Sequence, residues 1–152
     1  VTIGNHDNRE NLWKLLPLLK KEHIGVQAGV IEMPYANLVL LDSGRKGVLG
    51  DEQLDWLAKE LDERTDKPAL VFGHLNPYPN RGVSPVEGMS DGSSLLKLLA
   101  ERKHARAYFY GHTYEWQQDR LYDLHLINQP AVSYYFGKGH AHGWVDMKLT
   151  ET

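Results

Sequence analysis

Hydrophobic and polar positions along the chain follow two different periods. Leu12, Leu15, Leu16 and Leu19 stand at i, i+3, i+4 and i+7, an apolar stripe at helical spacing that predicts a helix from Asn8. Leu54, Leu57, Ala58 and Leu61 form a second such stripe, with Trp56 beside it. Asp51 and Glu52 put two carboxylates in that helix's first turn, where the positive end of the dipole favours them, so its start is placed near Gly50-Asp51. A third helix carries Leu95, Leu98 and Leu99, with Asp91 as its expected N-cap.

Short apolar runs of β type alternate with these helices: Val1–Ile3, Val30–Met33, Leu38–Leu41, Ala69–Phe72 and Ala105–Tyr110. Pro34-Tyr35-Ala36-Asn37 reads as the turn joining the second and third of them. From His74 to Gly92 the residues Pro77, Pro79, Gly82, Pro85 and Gly88 predict a long loop, of the kind that is usually functional. The last third reads as strands: Glu115–Arg120, Leu124–Asn128, Val132–Tyr135 and Trp144–Leu149. Strand and helix alternating first, with strands afterwards, predicts an α/β layered domain whose second sheet forms late. With 152 residues and no internal repeat, residues 1–152 are expected to make one domain. A glycine motif beginning by Gly4, after an opening Val1, predicts that this domain is incomplete at its N-terminus.

Composition narrows the chemistry. A net charge of −3 gives no electrostatic footprint for nucleic acid or an anionic membrane, so neither is expected as a partner. No apolar run approaches the ~18 residues of a membrane span. The chain has no cysteine, so any metal must be held by nitrogen and oxygen ligands. The compartment is left open, with the cytoplasm favoured.

One pattern occurs three times. Val1-Thr2-Ile3 runs into Gly4-Asn5-His6-Asp7, Ala69–Phe72 into Gly73-His74, and Ala107–Tyr110 into Gly111-His112. Each is an apolar strand, a glycine, then a ligand-type residue. In open α/β sheets sites gather at the carboxyl ends of strands, and glycine there lets the backbone turn sharply and approach a bound group. Asn5, His74 and His112 are therefore expected to meet at one rim, an amide and two imidazoles suited to a borderline transition metal.

In order and approximate spacing these blocks resemble the last three motifs of the calcineurin-like metallophosphoesterases. The segment Asp51–Leu57 resembles the helix start of the branch that cleaves cyclic nucleotides and glycerophosphodiesters. The resemblance implies a layered sandwich of two β-sheets flanked by helices. It implies that Asn5, His74 and His112 hold one of two divalent transition-metal ions (Mn, Fe, Zn or similar). It also implies attack on a small-molecule phosphoester by a metal-activated hydroxide. His6 would be the general acid that protonates the leaving alkoxide, with Asp7 orienting it. The family's carboxylate-bearing motifs for the first metal belong before Val1, and Tyr114 stands where the family has the last His of its Gly-His-x-His block. The chain alone is thus expected to be inactive, and a non-catalytic binding scaffold is the competing reading.

The remaining chemistry-bearing residues have plainer expectations. His23, His104 and His125 are read as surface or structural, and His140 and His142 as part of a solvated loop. Asp42, in Asp42-Ser43-Gly44, is read as a turn cap. Arg9, Arg45, Lys46 and Arg81 are read as surface charge, and Trp13, Trp56 and Trp116 as core.

Overall fold

A computed structural model describes residues 2–15, 17, 28–43, 47–78, 88–133 and 142–150. The helices are α1 (Arg9–Leu15), α2 (Asp51–Asp62) and α3 (Gly92–Ala100). The strands are β1 (Gly29–Glu32), β2 (Asn37–Leu40), β3 (Ala69–Phe72), β4 (Ala105–Tyr110), β5 (Gln117–Leu121) and β6 (Leu124–Asn128). All six strands join one sheet in the order β1-β2-β3-β4-β6-β5. The central β2, β3, β4 and β6 run parallel, and β1 and β5 add antiparallel edges. Parallel neighbours need a long crossover, which α2 supplies between β2 and β3, and α3 between β3 and β4.

Side chains alternate across this sheet, as the two-residue period demands. Val39, Leu41, Val71, Tyr108, Tyr110, Leu124 and Leu126 share a core with Leu57 and Leu61 of α2 and Leu95, Leu96 and Leu99 of α3. Leu70, Ala107 and Phe109 form a second, smaller cluster, with Leu38, Phe72 and Ile127 at its margin. There Phe72 and Phe109 stack with ring centroids 4.7 Å apart.

The α/β class and the strands near Val30–Met33, Leu38–Leu41, Ala69–Phe72 and Ala105–Tyr110 stand where the sequence pattern puts them, but Thr2 and Ile3 belong to no strand and Val1 lies outside the described residues. The late strands depart from expectation. Among the described residues β5 and β6 do not open a second sheet but extend the first. The reason lies in the ladder: β4 leaves an edge on which β6 pairs from Ala107↔His125 to Tyr110↔Asn128, and β5 folds back onto β6 through Tyr122-Asp123. Tyr122 has φ 53, as tight hairpin turns require. Trp144–Leu149 forms no strand and pairs with no strand among the described residues, and Trp144 stays 80% exposed. Val132 and Ser133 are likewise outside any strand, while Tyr134 and Tyr135 fall outside the described residues.

Two helix expectations also change. α1 is present, but none of its residues is fully buried and Leu15 is 79% exposed; Leu16 and Leu19 lie outside the described residues. Asp91 precedes α3 but makes no side-chain cap bond. Its Oδ2 instead accepts the backbone N–H groups of Leu49 and Gly50, each at 2.9 Å, and so ties α3 to the turn that starts α2. Two converging amide donors outcompete the local cap.

Tyr108 explains one glycine. Its ring is fully buried, and its hydroxyl donates to the carbonyl of Leu75 at 3.0 Å. Burial raises its pKa above the ordinary phenol value, so the donor is permanent. A Cβ on Gly73 would overlap that hydroxyl, whereas a Cβ on Gly111 would meet nothing within 4 Å. Gly73→Ala should therefore cost ~1–3 kcal/mol by overpacking. Gly111→Ala should stay within about 0.5 kcal/mol of wild type. Urea unfolding of the two variants checks this, and equal losses would contradict it.

Candidate functional site

The site begins with the register of β3 and β4. Phe72 pairs with Phe109, and the parallel ladder continues past both strand ends: Gly73 N–H donates to Phe109 O at 2.9 Å, and Gly111 N–H to His74 O at 3.0 Å. The next residues, His74 and His112, are delivered to the same carboxyl edge. His74 Nε2 lies 3.1 Å from His112 Nδ1, with the rings edge to face. From the other end of the sequence, Asn5 brings its Oδ1 to 3.0 Å from the same His74 Nε2. The structure thus gathers all three residues expected to be ligands, with Asn5 Oδ1 and His112 Nδ1 both in contact with His74 Nε2.

Burial sets the state of the imidazoles. It lowers the pKa of His74 below its ordinary value, with the Asp7 carboxylate opposing and His6 assisting. It pushes His112 down to about 4, helped by His74 and then His6. At neutral pH both rings are uncharged and can offer a nitrogen lone pair. Among the described residues no three His, Asp or Glu side chains gather as a metal-holding group. The donor set here is two neutral imidazoles and one amide oxygen, which fits a borderline divalent ion.

His6 and Asp7, expected to be catalytic, are both exposed on the same turn. With Tyr114, Gln129 and the three converging residues they line a cavity of ≈ 360 Å³. Asp7 is not placed as expected. Its Oδ2 accepts the Gly4 N–H at 2.8 Å and its own N–H donates to Gly4 O at 3.3 Å, closing the turn that presents Asn5 and His6. An amide three residues back is in reach, while neighbours in sequence diverge, so Asp7 locks the turn instead of gripping His6.

The His112 segment is held under strain. His112 and Tyr114 have φ 69 and 62, left-handed values that side-chain-bearing residues avoid. Between them Thr113 is buried, and Asn128 at the end of β6 donates from Nδ2 to its Oγ1. Thr113 N–H closes on Gly111 O at 2.8 Å, and Gln129 N–H donates to Tyr110 O at 2.7 Å. Such conformations persist where neighbours over-determine them. Sequence reasoning missed Thr113, Asn128 and Gln129; the available signal was a polar residue, Asn128, at an inward position of an apolar strand.

Asp42 also differs from expectation. Its carboxylate is fully buried and receives a two-point contact from Arg9, including Nε to Oδ2 at 2.9 Å, so neither residue is a plain surface or turn group. His104 is structural, its Nε2 2.9 Å from Leu61 O, and His125 and His142 are exposed. Trp56 packs against the core and Trp13 is half-buried, but Trp116 is 45% exposed. His23, Arg45, Lys46, Arg81 and His140 lie outside the described residues.

Known proteins resemble this chain in sequence and in fold. The chain is 28% identical to a 3',5'-cyclic adenosine monophosphate phosphodiesterase from Pseudomonas aeruginosa, over 90% of this chain and 50% of that protein. It is 28% identical to a glycerophosphodiester phosphodiesterase from Enterobacter lignolyticus, over 85% of this chain and 49% of that protein. The chain therefore spans about half the length of these relatives. In fold it is similar to a dimetal phosphatase from Danio rerio, with a TM-score of 0.68 and 17% identity, over 84% of this chain and 59% of the other. The family model for calcineurin-like phosphoesterases matches residues 1–116, and the chain belongs to that family.

Proposed function

We propose that this chain carries part of the active site of a metal-dependent phosphoester hydrolase, with a small phosphodiester as the favoured substrate. The observation that carries the reading is that His74 Nε2 lies 3.0 Å from Asn5 Oδ1 and 3.1 Å from His112 Nδ1, in a cavity also lined by an exposed His6. The phosphodiesterase names of the relatives support the substrate class.

Asn5, His74 and His112 would hold one divalent ion, and a longer protein is expected to hold two. Ions bound there would supply positive charge to polarise the phosphoryl group and lower the pKa of an attacking water. The protein's own residues do the rest. Burial keeps His74 and His112 unprotonated, so protons do not compete with the ion at neutral pH. Gly4 and Asp7 close the turn that carries Asn5, which would hold the ion, and His6, which lines the same cavity. From there His6 would give a proton to the leaving alkoxide, since imidazole is the side chain suited to proton transfer near neutrality.

In a catalytically active form of the protein, His6→Ala should lower turnover of alkyl phosphodiesters by ~10²–10⁴-fold and leave metal content unchanged. An activated aryl diester needs less proton assistance and should lose less. Equal losses for both substrates, or a parallel loss of metal, would remove His6 from this role.

The imidazoles also predict a pH dependence of the metal-free chain. His112 titrates at about 4 when folded against 6.5 ordinarily, so between those values the unfolded chain binds more protons. Stability should then be full above pH 6.5 and fall as pH drops towards 4. His112→Asn should flatten that slope. Urea midpoints at pH 7 and pH 5 for both proteins provide the measurement, and identical slopes would contradict the burial argument.

A further inference from the structure

We propose that Arg9 is a positioning residue for the turn that carries Asn5 and His6, and that the buried carboxylate of Asp42 is the fixed point it grips. The inference rests on the metal-site reading above and deepens it.

Asp42 is anchored before Arg9 reaches it. It follows β2 at the carboxyl edge of the sheet, where Leu41 N–H still donates to Phe72 O at 2.8 Å. Gln53, buried in the first turn of α2, holds both backbone groups of Asp42. Its Oε1 accepts the Asp42 N–H at 2.9 Å, and its Nε2 donates to Asp42 O at 2.8 Å. The Asp42 side chain has 0% exposure, against 22% for Arg9. A carboxylate at that depth is costly unless paired, and a two-point guanidinium contact satisfies it with fixed geometry.

Arg9 is the first residue of α1, three positions after His6 and four after Asn5. The turn is thereby fixed at both ends. On one side Ile3 is fully buried, and on the other Arg9 is clamped to Asp42. Inside, Asp7 closes on Gly4, and Asn8 Oδ1 accepts the Asn11 N–H at 3.0 Å to start the helix. α1 buries none of its residues fully, and a helix of two turns has little stability of its own. The hold on its N-terminal end is therefore electrostatic and directional. A lysine would keep the charge but lose the second contact and the planar fit.

The test separates positioning from stability with two variants of the 152-residue chain, Arg9→Met and Arg9→Met/Asp42→Leu. The single variant takes the two-point guanidinium contact away from a buried carboxylate and should unfold at lower urea. The double variant replaces the pair with apolar groups and should recover most of that loss. Positioning predicts that both variants nevertheless loosen the turn. Amide order parameters at residues 5–8 should fall from about 0.85 to below about 0.6, with β3 and β4 unchanged. The Co²⁺ dissociation constant should rise ~10–100-fold in both. A double variant with wild-type stability, wild-type order at residues 5–8 and wild-type Co²⁺ affinity would overturn the proposal. No Co²⁺ uptake by the wild-type chain would overturn the metal reading instead, and the order parameters would then decide the role of Arg9 alone.

Discussion

Two backbone hydrogen bonds beyond the ends of β3 and β4 govern what the rest of the site can be. Gly73 to Phe109 and Gly111 to His74 keep the parallel ladder running for one residue after each strand proper has stopped. Side chains of adjacent parallel strands are only ~5 Å apart, so a ladder held to that point leaves two imidazoles no choice but to face each other. Everything below serves this register. Tyr108 fills the space under Gly73 and fixes Leu75, and Phe72 and Phe109 stack on the opposite face. The crossover helices α2 and α3 seal the core that keeps the strands in line.

The register has a cost that the site itself bears. Two half-buried imidazoles are kept neutral at short range, and His112 and Tyr114 occupy left-handed backbone conformations. Neither would persist in a free loop. The strained turn is tied to β6 through Thr113 and Asn128, and the Asn5 turn to β2 and α2 through Arg9, Asp42 and Gln53. The three converging residues thus come from segments each anchored to a different neighbouring element. Preorganisation of this kind is what metal sites and catalytic constellations need, because a ligand that must be ordered at the moment of binding weakens it.

Much of this was legible in the residues. The apolar runs before Gly73-His74 and Gly111-His112 could be read as strand ends, and parallel topology makes those ends coincide, whereas Thr2 and Ile3 before Gly4-Asn5 belong to no strand. The stripes of α2 and α3 were equally plain. What was not legible depended on partners distant in sequence. Asp42 and Asp91 both look like local turn or cap residues, and each is claimed by a donor more than thirty positions away: Arg9 in one case, Leu49 and Gly50 in the other. Asp7 looks like a partner for its neighbour His6, yet the amide three residues back has the better geometry. Trp144–Leu149 carries a strand-like alternation, but alternation specifies a face and not a ladder. The apolar stripe beginning at Leu12 predicted α1 and not its exposure, because period reports which residues share a side and nothing about what covers it.

The central claim is that Asn5, His74 and His112 bind one metal ion together. X-ray absorption spectroscopy of the 152-residue chain loaded with one equivalent of Co²⁺ tests it most directly. The account predicts a first shell at ~2.0–2.2 Å with the multiple-scattering signature of two imidazoles. That signature should fall to one imidazole in His74→Ala or His112→Ala. A spectrum of oxygen ligands alone, or an imidazole count unchanged by either substitution, would contradict it.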